Sequence, residues 1–247
     1  MNVELIYSLI FILVILQSIV GVSVLVLGTP ILLTLDYNII EAMNLLLPIS
    51  IFTSLLNYLY LKSNKKIFKI SLDKEIKRSF AYIFFPGIIL GLYLTNKFFL
   101  YLNFKILVSI IIFISIFVKW KYDKIINDLP LHFKKYILIL ISVIHGLTNS
   151  GGTLLTIFFT SFHKNKKNQS RYSITFYYLI LASIQYFAFL YIFRDQIKFI
   201  LSYEIFLLVL ISAFTGNLIV KFVNQNLFKN LIQLLAFGSA IILLLNN

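Results

Sequence analysis

The sequence predicts an all-α polytopic membrane protein of about eight hydrophobic segments in two repeats, and three observations carry that expectation. Hydrophobic residues make up 60% of the 247 and charged residues only 13%, against roughly a quarter charged in ordinary soluble domains. The apolar residues gather in long runs separated by short lysine-rich stretches. Two of these runs, half a chain apart, are interrupted by glycines and small polar residues in matching order.

A helix crossing lipid needs about 20 apolar residues. The first run, Leu5 to Leu35, is too long for one crossing and is expected to break at Gly21 and Pro30. Met1 to Ser8 carries no basic stretch and no small-x-small site follows, so this run is expected to stay in the mature chain. Then come Glu41 to Leu61, with Pro48 as a kink, Phe80 to Thr95, and Phe104 to Val118. The second interrupted run is Tyr136 to Thr160, followed by Ser173 to Phe193, Ile205 to Phe222 and Leu227 to Leu245. Gly21-Val22-Ser23 is answered by Gly146-Leu147-Thr148, Gly28-Thr29 by Gly152-Thr153, and Phe104-Lys105 by Phe228-Lys229. The expected division is therefore a first membrane repeat at 1–122 and a second at 123–247, together forming one transmembrane domain.

The loop charges bear on the sense of the repeat. With eight single crossings, the lysine cluster from Lys164 to Arg171 falls outside, against the positive-inside bias. If both broken segments are re-entrant hairpins, the first from outside and the second from inside, 18 of the 22 Lys and Arg residues lie inside. The charges thus prefer an inverted repeat with six full crossings and two hairpin tips approaching near the midplane.

Several function classes drop out. The net charge of +13 sits in loops, where it reads as topology rather than as a nucleic-acid surface. With no cysteine and three scattered histidines, no metal cage is expected. No Walker A loop or dinucleotide fingerprint is present, so no cofactor is expected either.

The two interruptions are the expected binding site, made of Gly21, Ser23, Gly28 and Thr29 in the first half and His145, Gly146, Thr148, Asn149, Ser150, Gly151, Gly152 and Thr153 in the second. Glycines let the backbone turn and approach a ligand. A half-helix N-terminus offers amides and a partial positive charge suited to an anion, and hydroxyl and amide side chains add donors without a full charge. His145 is expected either to carry a proton or to sit neutral, bonded to the broken backbone. Gly87, Gly91, Gly216 and Gly238 are expected to serve helix packing, and Asn57, Gln185 and Asn217 to bond between helices.

The stretches VGVSVLVLGTPILL (Val20 to Leu33), IHGLTNSGGTLLT (Ile144 to Thr156) and FPGIILG (Phe85 to Gly91) resemble the TauE/SafE sulfite exporter family of inner-membrane permeases, over essentially the whole chain. The resemblance implies a secondary transporter that exports sulfite or organosulfonate anions, with the glycine-rich segments as its pathway. A carboxylate would suit the same donors nearly as well. The sequence is also compatible with a homo-oligomer. The alternative reading is a non-transporting assembly or accessory protein whose broken helices hold a partner. An intramembrane hydrolase is disfavoured, because Ser150 and His145 have no third orienting group.

Overall fold

A computed structural model describes residues 3–163, 166–196 and 202–245; Met1, Lys164 and Lys198 lie outside them. Every regular element among the described residues is helical: α1 (Val3–Val20), α2 (Val24–Thr34), α3 (Ile39–Ser63), α4 (Lys65–Phe68), α5 (Lys74–Phe98), α6 (Phe104–Asp128), α7 (Leu131–Thr148), α8 (Gly151–Phe162), α9 (Lys167–Ile192), a 3₁₀ turn at Arg194–Gln196, α10 (Tyr203–Ile219) and α11 (Gln225–Leu245). Helices α3 and α9 are long and apolar enough to cross a membrane. Aromatic and aliphatic side chains stand exposed along the outside, among them Leu59, Tyr93, Ile114, Leu140, Phe187 and Phe214. A surface of this kind suits lipid and would aggregate in water.

Short polar residues in the loops start the helices. Asn38 and Glu41 form a reciprocal capping box on α3, Asp73 Oδ1 accepts the Ile76 amide at 2.9 Å, and Asn103 Oδ1 accepts the Ile106 amide at 3.2 Å. Helices α5 and α6 run well beyond the apolar segments at Phe80 to Thr95 and Phe104 to Val118. Lysine and glutamate are good helix formers, so the helix outlasts the apolar run. The break expected at Pro30 does not occur: Pro30 lies inside α2, as Pro48 and Pro86 lie inside α3 and α5.

The two interrupted runs fold back on themselves. Helix α2 returns along α1, since a Cβ on Gly28 would lie 3.1 Å from Leu13 Cδ1. Helix α8 returns along α7 so fully that Lys134 Nζ, near the start of α7, sits 4.9 Å over the Phe162 ring at the end of α8. Around these hairpins α3 packs on α9 and α6 on α11, while α5 is pressed to α7 and α1 to α10.

Glycine makes the last two contacts possible. A Cβ on Gly91 would stand 2.3 Å from the Val143 carbonyl oxygen, and one on Gly146 would stand 2.4 Å from that of Ile88. Gly216 backs onto α1 in the same way, 2.7 Å from the Ile15 carbonyl oxygen. Thr95 Oγ1 ties the first seam by donating to the Leu147 carbonyl at 2.9 Å. Gly238 departs from the expectation: among the described residues a Cβ there would meet nothing within 4 Å.

Candidate functional site

The first break begins where α1 ends. Gly21 has φ +97°, which only glycine adopts cheaply. Ser23 occupies the N-cap of α2, yet its hydroxyl makes no capping bond. Gln17, one turn back, does that work: its Oε1 accepts the Val24 amide at 3.0 Å and the Ser23 amide at 3.4 Å. Its Nε2 donates to the Ser50 carbonyl at 3.0 Å and Ser54 Oγ at 2.9 Å on α3. The Ser23 and Val24 amides are therefore committed to a glutamine. Gln17→Leu should orphan the buried Ser23 and Val24 amides at roughly 1–3 kcal/mol each. The measurable result is a lowered melting temperature with unchanged helix content.

The second break is a tighter turn. Asn149 takes the left-handed conformation, φ 63°, which asparagine tolerates better than most residues, and its amide bonds the His145 carbonyl at 2.8 Å. Thr148 Oγ1 donates to the Ile144 carbonyl at 2.8 Å and accepts the Ser150 amide at 3.3 Å. Ser150 Oγ turns back to the Thr148 carbonyl at 3.2 Å. Helix α8 then starts without a side-chain cap, and its first turn holds Gly151 and Gly152, where a helix has no carbonyl of its own to offer the amides. Both glycines are closely covered: a Cβ on Gly151 would lie 2.6 Å from His145 Cβ, and one on Gly152 2.6 Å from Val22 Cγ2 and 2.8 Å from Tyr178 Cε2.

The two tips meet. Asn149 Nδ2 donates to Thr29 Oγ1 at 2.8 Å, joining residues 120 positions apart. With Gly152 against Val22 and Val26, the second tip lies along the opening turns of α2. Gly28 belongs to the other side of α2, against Leu46 and Leu13, where it spaces helices. Helix α9 passes both breaks, with Ile174 and Thr175 against Gly21, Tyr178 against Gly152, and Gln185 Nε2 donating to the His145 carbonyl at 3.1 Å.

Around this meeting point several buried polar atoms have no hydrogen-bond partner among the described residues: Ser23 Oγ, both ring nitrogens of His145, Asn149 Oδ1, Thr153 Oγ1 and Gln185 Oε1. Each orphaned group costs about 1–3 kcal/mol. The His145 ring is not bonded to the broken backbone as expected; its carbonyl is, while the ring stands edge-on to Tyr178 with centroids 5.8 Å apart. By contrast, a cavity of about 310 Å³ among α6, α7 and α8 is lined by Ile114, Ile141, Leu154 and other apolar side chains, and it offers an anion nothing.

Sequence reasoning missed Gln17, Tyr178 and Arg171. For two of them the pattern shows once the start of α9 is known: Arg171, Thr175, Tyr178, Ala182 and Gln185 recur at alternating steps of four and three, one face of a helix, and all are buried.

Comparison with curated proteins and with solved structures yields no match. The family model described as "Sulfite exporter TauE/SafE" matches residues 6–243, nearly the entire chain. The match spans both hairpins and the tips they bring together, and the chain accordingly belongs to the TauE/SafE sulfite exporter family of membrane transporters.

Proposed function

We propose that this protein is a secondary transporter of small anions, sulfite or organosulfonates, working by alternating access around a site at the two hairpin tips. The observation that carries the proposal is the group of buried, unpartnered polar atoms where Asn149 reaches Thr29. A fold sustains such costs where a ligand or water completes the bonds. The site comprises Ser23, Thr29, His145, Thr148, Asn149, Ser150 and Thr153, with the opening amides of Gly151 and Gly152 as anion donors. Gly21, Gly28 and Gly146 shape the backbone around it.

The same reading places the chain as a multi-pass protein of the bacterial inner membrane, with repeats at 1–122 and 123–247 related by inversion. Exchanging the halves exchanges the packing partners, which supports the repeat: α5 on α7 corresponds to α10 on α1, α2 on α11 to α8 on α6, and α3 on α10 to α9 on α5. The loop charges support the inversion. In transporters built this way, one repeat rocks against the other about a central site.

The test is thermal stability of the detergent-purified protein against sulfite, sulfate, thiosulfate, small sulfonates and carboxylates, followed by flux of the best ligand in proteoliposomes. A ligand that binds only the folded state should stabilise it by about 2.7 kcal/mol at a hundred times its Kd. A shift with a sulfur anion and flux of the same anion is the expected result. No shift and no flux with any anion would overturn the proposal.

A further inference from the structure

Arg171 lies one turn into α9, 1% exposed, in a helix long and apolar enough to cross a membrane. Its Nη2 donates to the Ser18 carbonyl in the last turn of α1 and to Asn217 Oδ1 on α10 at 2.6 Å. The Tyr60 ring lies 6.0 Å from the guanidinium carbon. All these partners are neutral. Lys167, one turn earlier, spends its charge on the carbonyls of Val220 and Val223 at the end of α10. Arg171 has one such carbonyl, that of Ser18, and its Nε has no partner among the described residues.

The guanidinium also fixes what surrounds it. Because Asn217 Oδ1 must face Arg171, Asn217 Nδ2 points away and donates to Asn57 Oδ1 at 2.7 Å and to the Ala213 carbonyl at 2.8 Å. That in turn fixes Asn57, whose Nδ2 is left buried and unpartnered. The hydroxyls of Ser18 and Ser170, both fully buried, are unpartnered as well. Among the described residues, the cluster holds several unpartnered donors, carries one full positive charge and contains no carboxylate. A cap for the broken end of α1 would need only one of the five guanidinium N–H groups.

We infer that Arg171, with Asn57 and Asn217, is a second anion-binding station beside the first hairpin tip, and that its ligand is a small oxyanion serving as the counter-ion the protein itself withholds. This rests on the anion-carrier reading and gives it a charge: beside the first tip, where Gln17 takes the Ser23 and Val24 amides, α9 of the second half contributes a guanidinium. An uncompensated buried charge is costly, so the empty station destabilises the fold and the anion relieves it.

The experiment titrates purified protein with sulfate, sulfite and methanesulfonate, and with the neutral dimethyl sulfone as a shape control, reading melting temperature and Kd. Wild type should respond to the anions and not to the sulfone. Arg171→Gln should weaken anion binding about ten- to a hundredfold, as losing a charge-assisted hydrogen bond does, while Arg171→Lys keeps part of the response. Asn57→Asp places a carboxylate two hydrogen bonds from the guanidinium. It should raise the melting temperature without anion and lower anion affinity at least about tenfold. Should Arg171→Gln fail to fold, Asn57→Asp decides alone, since it keeps Arg171 and both its bonds. Unchanged anion Kd in these variants, with wild type responding, would make Arg171 a structural clamp and overturn this inference while leaving the carrier intact. A wild type that binds no anion removes both.

Discussion

Gly146→Val should yield almost no folded protein. The added Cβ would stand 2.4 Å from the Ile88 carbonyl oxygen and 3.1 Å from Gly91 Cα. Both are backbone, so no side chain can rotate away, and the whole of α5 must move off α7. Overpacking in well-packed interiors costs about 1–3 kcal/mol even where neighbours can adjust, and here the loss should exceed that range. Gly91→Val should behave alike, because its Cβ would lie 2.3 Å from the Val143 carbonyl oxygen on the opposite side of the seam. Gly238→Val, with nothing among the described residues within 4 Å of the new Cβ, is the control expected to purify normally. The measurement is the monodisperse fraction after detergent extraction, with melting temperature for whatever survives. A well-folded Gly146→Val protein would mean that α5 and α7 do not pack as described.

Asn149 should separate backbone from side chain. Asn149→Gly keeps the left-handed turn at φ 63° and removes only the amide that holds Thr29 at 2.8 Å. It should cost about 1 kcal/mol of stability, the usual worth of one hydrogen bond. Asn149→Ala loses the same bond but keeps the Cβ that the glycine variant sheds, which in that region costs about 1–2 kcal/mol relative to glycine. The two variants should therefore melt at different temperatures, yet both should lose anion flux by at least about tenfold, because the amide joining the tips is gone in each. Normal flux in the glycine variant would remove Asn149 from the binding set.

Much of this architecture was legible in the residues. Glycines with an asparagine and a histidine inside an apolar run have no use in an unbroken lipid-crossing helix, so the breaks at Gly21 and at Asn149 to Ser150 could be read directly. Gly91, four residues after Gly87 in an otherwise apolar run, could be assigned to packing because small residues let membrane helices approach closely. What could not be read was which neighbour answers each group. Pro30 looks like a stop but is absorbed within α2, because a proline near the middle of a buried helix costs one bond and is held by its surroundings. Gln17 sits among aliphatic residues with no local sign that it caps α2 across a turn. Arg171 was hidden by composition: it ends a run of loop lysines and shares their charge, and only the start of α9 at Lys167 turns it inward. Burial is a property of the assembled helices, and the four-and-three spacing from Arg171 to Gln185 becomes informative once the helix start is known.

The bond between Thr29 and Asn149 has a consequence for how the chain is made. Its partners are 120 residues apart, and at about 5–20 residues per second of synthesis the second emerges roughly 6 to 24 seconds after the first. Through that interval the tip of the first hairpin stands finished but unpartnered, and the glycine of α10 that seats α1 has yet to be translated. The first half is thus a client awaiting its sequel, exposed to whatever insertase or protease reaches it first. A ribosome stalled between the halves should leave a product that is cleared rather than stored.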